Sequence, residues 1–179
     1  MRQYTLAKRI SSDGEQGVQV VNETGEQIGI VSKTHMDDCE RGHCFSYTTL
    51  RGDVIRMGIK KRGLTSLLRA TYQLEIAGKI FEWKDDIGKN LLYFSVSGKL
   101  GEKAVTFQEN WKEEIDATIE SKKIALIQPK MMLKTTLSFD ASIDEREPIF
   151  ALTVLMLFMY RIYQDEAEVV ENVLDHLFE

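Results

Sequence analysis

The feature that most limits how this chain can fold is a stretch near its end, residues 149–160 (IFALTVLMLFMY), which carries no charge. As a helix it would be apolar on every side, and such a helix must be surrounded by protein or by lipid. Twelve residues are too few to cross a bilayer, which takes about 20. We therefore expect protein to surround this helix, as a sheet that curls around it would do.

The residues before this stretch carry the signals of a helix start. Asp144 can cap the first turn, Glu147 lies three residues on as in a capping box, and Pro148 is early enough to be tolerated. These signals predict a central helix over residues 144–163.

A second, amphipathic helix is expected over residues 165–178, with an apolar stripe opposite an acidic face. The stripe recurs at helical spacing and consists of Val169, Val170, Val173, Leu174, Leu177 and Phe178. Such a stripe packs across the domain or against a second copy of the chain. A homodimer would then form through Val169, Val173, Leu174 and Leu177.

Most of the chain before residue 143 alternates between apolar and polar residues, which is typical of half-buried strands. In Thr71–Ile76, for example, alternate residues from Tyr72 onward are expected to point inward and Gln73 outward. Glycine-containing turns separate these runs, and Gly78-Lys79 marks the clearest hairpin. We expect strands over residues 3–143, broken by a polar loop or short helix at 34–42. The fold class is mainly β, a sandwich or closed barrel.

Length and composition favour a single domain over residues 1–179. The chain has 179 residues, 43% of them hydrophobic, and no linker or low-complexity tract interrupts it. The first ten residues lack the apolar segment of a signal peptide, and two cysteines do not make a disulfide framework. A cytoplasmic location, with peripheral membrane docking, is the expectation.

The order of glycine-turn strands and a late apolar helix resembles the tubby C-terminal-like superfamily, which includes LURP-one-related proteins and phospholipid scramblases. The resemblance covers roughly residues 3–163 and lies in Gly17–Ser32, Thr71–Trp83, Lys122–Lys130 and Asp144–Tyr163. It implies an antiparallel β-barrel of about a dozen strands around a hydrophobic C-terminal helix. Tubby proteins bind membrane phosphoinositides through basic surface residues, whereas the cysteine-rich region of scramblases has no counterpart here.

The most basic stretch of the sequence is a candidate site for anionic phospholipid or phosphate. Its members are Arg56, Lys60, Lys61 and Arg62. Arg56 and Lys60 are expected on the outer face of one strand, and each basic group near a membrane adds about 1 kcal/mol of binding. The alternative is an edge strand that Lys and Arg protect from aggregation.

A second candidate is a metal site, because both cysteines and two of three histidines lie within ten residues. The set is His35, Cys39, His43 and Cys44, of which the first three are spaced for one face of a helix. Gly42 would break such a helix, and the spacing matches no standard zinc motif.

Other functions find little support in the sequence. Motifs for nucleotide binding, hydrolysis or zinc proteases are absent, so no enzymatic activity and no cofactor are expected. The net charge is −5 and the last 36 residues are acidic, which does not favour nucleic-acid binding. The expected function is a non-catalytic binding or regulatory module that docks on anionic phospholipid or a protein partner. The alternative is a metal-binding or structural interaction protein that dimerises through its C-terminal helix.

Overall fold

The computed structural model describes residues 1–10, 16–62, 70–86, 93–129 and 135–178, without the side chains of 7–10, 16 and 169–178. Within these described residues, twelve strands precede one helix, α1 (Pro148–Phe178). The strands are β1 (Arg2–Ile10), β2 (Gln16–Asn22), β3 (Gln27–Lys33), β4 (Cys39–Thr49), β5 (Val54–Lys60), β6 (Thr71–Ile76), β7 (Lys79–Asp85), β8 (Ser95–Leu100), β9 (Lys103–Glu109), β10 (Ile115–Ile119), β11 (Lys122–Gln128) and β12 (Thr136–Phe139).

The strands form a closed antiparallel barrel in which each pairs with its neighbours in the chain. The ring closes where β1 pairs with β12, with Arg2 opposite Phe139 and Tyr4 opposite Leu137. Closure leaves no unpaired sheet edge, which explains how an all-antiparallel sheet of this size avoids edge-to-edge association. The predicted mainly β fold, a barrel of about a dozen strands, is confirmed.

The apolar segment of α1 fills the barrel. All residues from 149 to 160 are buried, and most have no accessible surface. At its start, Phe150 stacks on Phe139 with ring centroids 4.5 Å apart and meets the edge of Tyr4 at 4.9 Å. Burial of each such side chain contributes about 1.5–3 kcal/mol, so the helix and the inner barrel face depend on one another for their core. The prediction that a sheet surrounds this helix is confirmed.

The helix departs from the sequence prediction at both ends. Asp144 and Glu147 interact as in a capping box, since the Asp144 N–H donates to Glu147 Oε1 at 2.8 Å, but regular helix begins only at Pro148. The two helices predicted over 144–163 and 165–178 are one continuous helix to Phe178. No Gly or Pro occurs between them, so nothing in the chain interrupts the backbone hydrogen bonds. Within the described residues, no helical segment is both long and apolar enough to cross a bilayer.

The hairpin predicted at Gly78-Lys79 is present, with β6 and β7 joined by Ala77 and Gly78. Both turn residues have positive φ, 49° and 74°, the combination that a two-residue type I′ turn requires. Ala77 adopts this left-handed conformation without the freedom of glycine, so the turn carries a local strain.

The barrel has two distinct ends. At the helix-entry end, the chain enters α1 at Pro148, beside the turns that follow β2, β4 and β6. At the helix-exit end, α1 leaves the barrel beside β9, where the Tyr160 hydroxyl donates to Glu109 Oε1 at 2.6 Å. The candidate site residues Cys39, His43 and Cys44 on β4 and Lys60 on β5 lie toward the helix-exit end.

Candidate functional site

The main irregularity of the barrel is a bulge in β4 at the helix-exit end. Cys39 pairs with Lys60 and Cys44 with Gly58, so four residues of β4 stand opposite the single residue Ile59 of β5. Gly42 has a φ of 82°, which allows the chain to turn inside the bulge. Bulges of this kind redirect side chains and are common beside functional sites. Here the bulge has two sides. The side next to the barrel wall carries sulfur-containing residues, and the side toward solvent carries charged residues.

The inner face of the bulge, which packs against the outer wall of the barrel, holds both cysteines. Cys39 and Cys44 have 0% and 1% exposure and pack with Met36 as a small cluster apart from the main core. Gly58 lies beneath them, where a Cβ would be 2.7 Å from Cys44 Sγ and 3.1 Å from Cys39 Sγ. Glycine therefore provides the space that the two thiols occupy.

Polar groups complete this inner cluster. The Cys39 thiol donates to Gln73 Oε1 at 3.4 Å, and Gln73 is only 7% exposed. Gln73 lies on the outer face of the barrel, as predicted, opposite Gly58, but it is not exposed to solvent because the β4 bulge covers it. The Cys44 thiol donates to the Glu40 carbonyl oxygen at 3.4 Å.

Both thiols are protonated at neutral pH. Burial raises the pKa of Cys39 to about 12 and also raises the pKa of Cys44. The neighbouring Met36 backbone and Cys39 side chain lower the pKa of Cys44 and so offset part of the burial effect at that thiol. Cys44 is thus the better placed of the two to carry a negative charge.

The outer face of the bulge carries an ionic cluster centred on Arg62. Its guanidinium binds Glu40 through Nε at 2.8 Å and Nη2 at 3.1 Å, and Glu166 through Nη1 at 2.8 Å and Nη2 at 2.5 Å. Both contacts are bidentate, the geometry in which an arginine–carboxylate pair is strongest. The Arg62 side chain is 13% exposed, so solvent screens these contacts only in part. Arg62 thereby joins the β4 bulge to α1 where the helix leaves the barrel.

His43 extends the ionic cluster. Its Nδ1 lies 2.9 Å from Glu40 Oε2 and 3.9 Å from Glu166 Oε1. Hydrogen bonds from Arg62 are the main reason that the pKa of Glu40 is below its usual value. Among the described residues, Glu40, His43 and Glu166 are the one set of three potential metal ligands within 4.8 Å of each other. The Arg62 guanidinium supplies the positive charge of this cluster.

The predicted metal set of His35, Cys39, His43 and Cys44 is not brought together. His35 is exposed beside Asp37, and His43 faces the ionic cluster. The two cysteines are buried between the bulge and the outer wall of the barrel. The expectation of a loop or short helix over 34–42 is the source of the difference. From Cys39 onward the chain is a strand, which places neighbouring side chains on opposite faces.

The four predicted lipid-contacting residues all have partners on the protein. Arg56 pairs with Glu75 at 3.0 Å and Lys60 with Glu82 at 2.7 Å. Lys61 Nζ donates to the Asp37 carbonyl oxygen at 2.6 Å, and Arg62 lies in the ionic cluster. Docking of these residues on anionic phospholipid stays a prediction.

Two exposed aromatic side chains mark the helix-exit end. Trp111, at the turn between β9 and β10, is 82% exposed, and Tyr93 is 47% exposed. Both line an open cleft of about 430 Å³. The Lys112 ammonium lies 5.0 Å from the centre of the Trp111 ring. Tryptophan is enriched among the residues that dominate binding at interfaces, so the exposed Trp111 is a candidate contact residue.

The surroundings of Trp111 are acidic. Residues 109–116 contain four carboxylates and one lysine, Lys112. The continuation of α1 beyond the barrel, residues 165–178, has five carboxylates and no lysine or arginine. Asp116 is neutralised by Lys123 at 2.6 Å and Glu166 by Arg62, while the remaining charges leave a net negative surface.

The helix-entry end has a second open cleft, of about 610 Å³. Leu50 is 63% exposed on its wall, where cationic and anionic groups are mixed. The charged lining residues are Arg51, Arg146, Glu26, Asp53 and Glu145. This mixture favours no ligand of a single charge.

Several residues of these sites escaped the sequence interpretation. Glu166 meets Arg62 across 104 residues of chain, and no local pattern indicates such a contact. Met36 and Gly58 were not distinguished from core residues. Trp111 carried a usable signal, because a lone tryptophan within a polar turn, Asn110–Glu114, does not fit the alternation of a buried strand.

Comparison with known proteins adds no assignment. No protein-family model matches the chain, and neither curated proteins nor solved structures give a significant match. What the geometry defines is a class: a closed antiparallel barrel threaded by its own C-terminal helix. Membership of the tubby C-terminal-like superfamily stays a prediction.

Proposed function

We propose that this protein is a non-catalytic binding module that docks on a protein partner with a basic surface through its helix-exit end. The single observation that supports this most is the 82% exposure of Trp111 within an acidic surface. An aromatic anchor surrounded by charge is the arrangement by which interfaces combine affinity with specificity.

The filling of the barrel supports a binding surface on the outside. The segment of α1 inside the barrel has apolar side chains that pack against the inner faces of the strands. Described barrel residues that point inward are therefore engaged in the core. The groups left for recognition lie at the two ends and on the outer face.

Charge favours a protein over an anionic membrane as the partner. Arg56, Lys60 and Arg62 already contact carboxylates, and the surface around Trp111 is net negative. An anionic bilayer would be repelled from this end, whereas a basic protein would be attracted to it over a Debye length of about 8 Å at physiological salt. The proposed resemblance to tubby-like proteins thus covers the barrel fold. It does not cover the ligand, because the partner proposed here is a basic protein and not a phosphoinositide.

The test is affinity capture from the cells that express the protein, with the bound proteins quantified for three forms. Trp111→Ala should lose the captured partner, because it removes the anchor while leaving the core intact. The matched control is Leu50→Ala, an exposed apolar residue at the opposite end, which should keep it. Raising the salt concentration should weaken capture, since the complementarity is electrostatic.

Vesicles decide between the two partner classes. Co-sedimentation with phosphatidylserine-containing vesicles is expected to be no greater than with phosphatidylcholine vesicles. Strong binding to the anionic vesicles that is lost on charge reversal of Arg56 and Lys60 would contradict the proposal and restore lipid docking.

Self-association is the second candidate, because α1 continues as regular helix twelve residues past Glu166, a length of about 18 Å at 1.5 Å per residue. The predicted dimer contacts at Val169, Val173, Leu174 and Leu177 fall on side chains outside the described set, so they stay a prediction. Val173→Glu with Leu177→Glu should convert a dimer to a monomer by light scattering. A wild-type monomer at high concentration would refute it.

A further inference from the structure

The sulfur-containing cluster under the β4 bulge is not used by the proposed docking function. It consists of Met36, Cys39 and Cys44, which pack together separately from the main core. Its members come from one short stretch, and Gly58 on β5 makes room for both thiols. The two thiols and the thioether thus share a small buried cluster that lies apart from the apolar core.

We propose that Met36, Cys39 and Cys44 form a binding site for a soft monovalent metal ion, Cu(I). Thiolate and thioether sulfur are soft ligands that select Cu(I), which accepts low coordination numbers. The three side chains provide such a set, and they lie where water is excluded. Exclusion of water protects Cu(I) from oxidation and from competing oxygen ligands.

The ligand chemistry distinguishes Cu(I) from Zn(II). Zinc sites take four ligands from cysteine, histidine and carboxylate groups. The histidines at positions 35 and 43 face away from the sulfur cluster. Among the described residues, no cysteine belongs to a group of three histidine, cysteine or carboxylate ligands. The sulfur cluster therefore lacks the harder ligands that would complete a zinc site.

The two cysteines are free thiols in the structure. Their pairing partners, Lys60 and Gly58, are two residues apart on β5. A Cβ at Gly58 would lie 2.7 Å from Cys44 Sγ and 3.1 Å from Cys39 Sγ, so the two sulfurs are close enough to share one metal ion.

Cu(I) binding would release protons and change the net charge of the site. Each coordinating thiol releases one proton, so Cu(I) bound by two thiolates and a thioether leaves one net negative charge. Lys60 is the partner of Cys39 in the sheet, and its positive charge lowers the pKa of that thiol. It therefore stabilises a negative charge there. The bulge residues Arg41 and Gly42, between the two cysteines in the chain, are exposed to solvent.

The experiment is anaerobic titration of the reduced full-length protein with Cu(I), in competition with a chromogenic Cu(I) chelator. One Cu(I) per chain is expected, with X-ray absorption showing sulfur as the ligand type. Met36→Leu should weaken binding about 10–100-fold, and Cys39→Ala or Cys44→Ala should weaken it further. The control is Met156→Leu, a buried methionine of α1 outside the sulfur cluster, which should bind as wild type does.

Circular dichroism identifies any variant that fails to fold, and the wild-type protein supplies a test that needs no variant. In it, one equivalent of Cu(I) should protect both thiols from alkylation in mild denaturant, and Zn(II) should not. Wild-type protein that binds no Cu(I), or oxygen and nitrogen ligands in the absorption spectrum, would overturn the proposal. So would equal binding by the Cys39→Ala/Cys44→Ala double variant.

Discussion

Replacing Arg62 by methionine tests the ionic cluster that joins the β4 bulge to the helix. The substitution keeps an unbranched side chain and removes the guanidinium from between Glu40 and Glu166. Breaking a fully buried ion pair costs about 3–5 kcal/mol, and an exposed pair contributes about 0.2–1 kcal/mol. Arg62 is 13% exposed and Glu40 23%, while Glu166 at 37% is partly screened by solvent. We therefore expect a loss of about 2–3 kcal/mol in the free energy of unfolding.

The assay is urea unfolding followed by circular dichroism, with thermal unfolding as a second measure. For a chain of this length, the expected loss lowers the melting temperature by about 4–12 °C. Arg62→Lys keeps the charge without the bidentate geometry, and should lose about half as much. Lys60→Met removes an exposed pair with Glu82 and serves as the control, with no measurable change expected.

The same variant has a defined pH dependence. Arg62 holds the pKa of Glu40 below its ordinary value of 4.5 in the folded protein. That stabilisation is fully present above pH 4.5 and is lost as the pH falls through the lowered folded pKa. The difference between wild type and Arg62→Met should thus shrink as the pH falls from 7 to 3. A difference that stays constant, or a loss no larger than that of Lys60→Met, would refute the assignment.

Three further predictions follow from local geometry. Ala77→Gly should raise the free energy of unfolding by about 1 kcal/mol, because Ala77 has a φ of 49°, and Gly78→Ala should lower it. Urea unfolding that shows Ala77→Gly to be less stable than wild type would contradict the turn geometry. Arg62→Ala should acquire a Zn(II) site from Glu40, His43 and Glu166, seen as a rise in melting temperature with ZnCl₂ that wild type and Arg62→Ala/His43→Ala lack. In metal-free protein, the unfolded Cys39 thiol ionises near pH 9 while the folded thiol, with a pKa of about 12, stays protonated. Stability that is fully present below pH 9 should therefore fall by about 1 kcal/mol between pH 9 and 10, and an equal slope in Cys39→Ala/Cys44→Ala, measured in urea, would exclude the thiols as its origin.

The architecture was predictable because its signals are local and repeated. Alternation at period two and glycine turns such as Ala77-Gly78 define strands, and the apolar segment 149–160 requires an enclosure. The break expected near Gln164 was wrong, since a change from an apolar to an amphipathic pattern alters what surrounds a helix without ending it. Caps, glycine or proline end helices, and none occurs there.

The sites were less predictable because they depend on contacts between distant residues. The contact of Arg62 with Glu166 and the space above Gly58 arise only when the barrel closes. The cysteines and His43 were recognised as candidates, but a helical spacing was assumed for a segment that is a bulged strand. That assumption placed His35 and His43 with the cysteines, whereas strand geometry separates the charged from the sulfur-containing face.

Photo-cross-linking from position 111 tests the proposed docking function most directly. A photoreactive phenylalanine analogue replaces Trp111 in one form and Leu50 in the other, and both are irradiated in living cells. We predict that position 111 cross-links to a discrete protein with a basic surface, and that position 50 does not cross-link to it. Lipid adducts, the same proteins from both positions, or no adduct at position 111 would contradict the account.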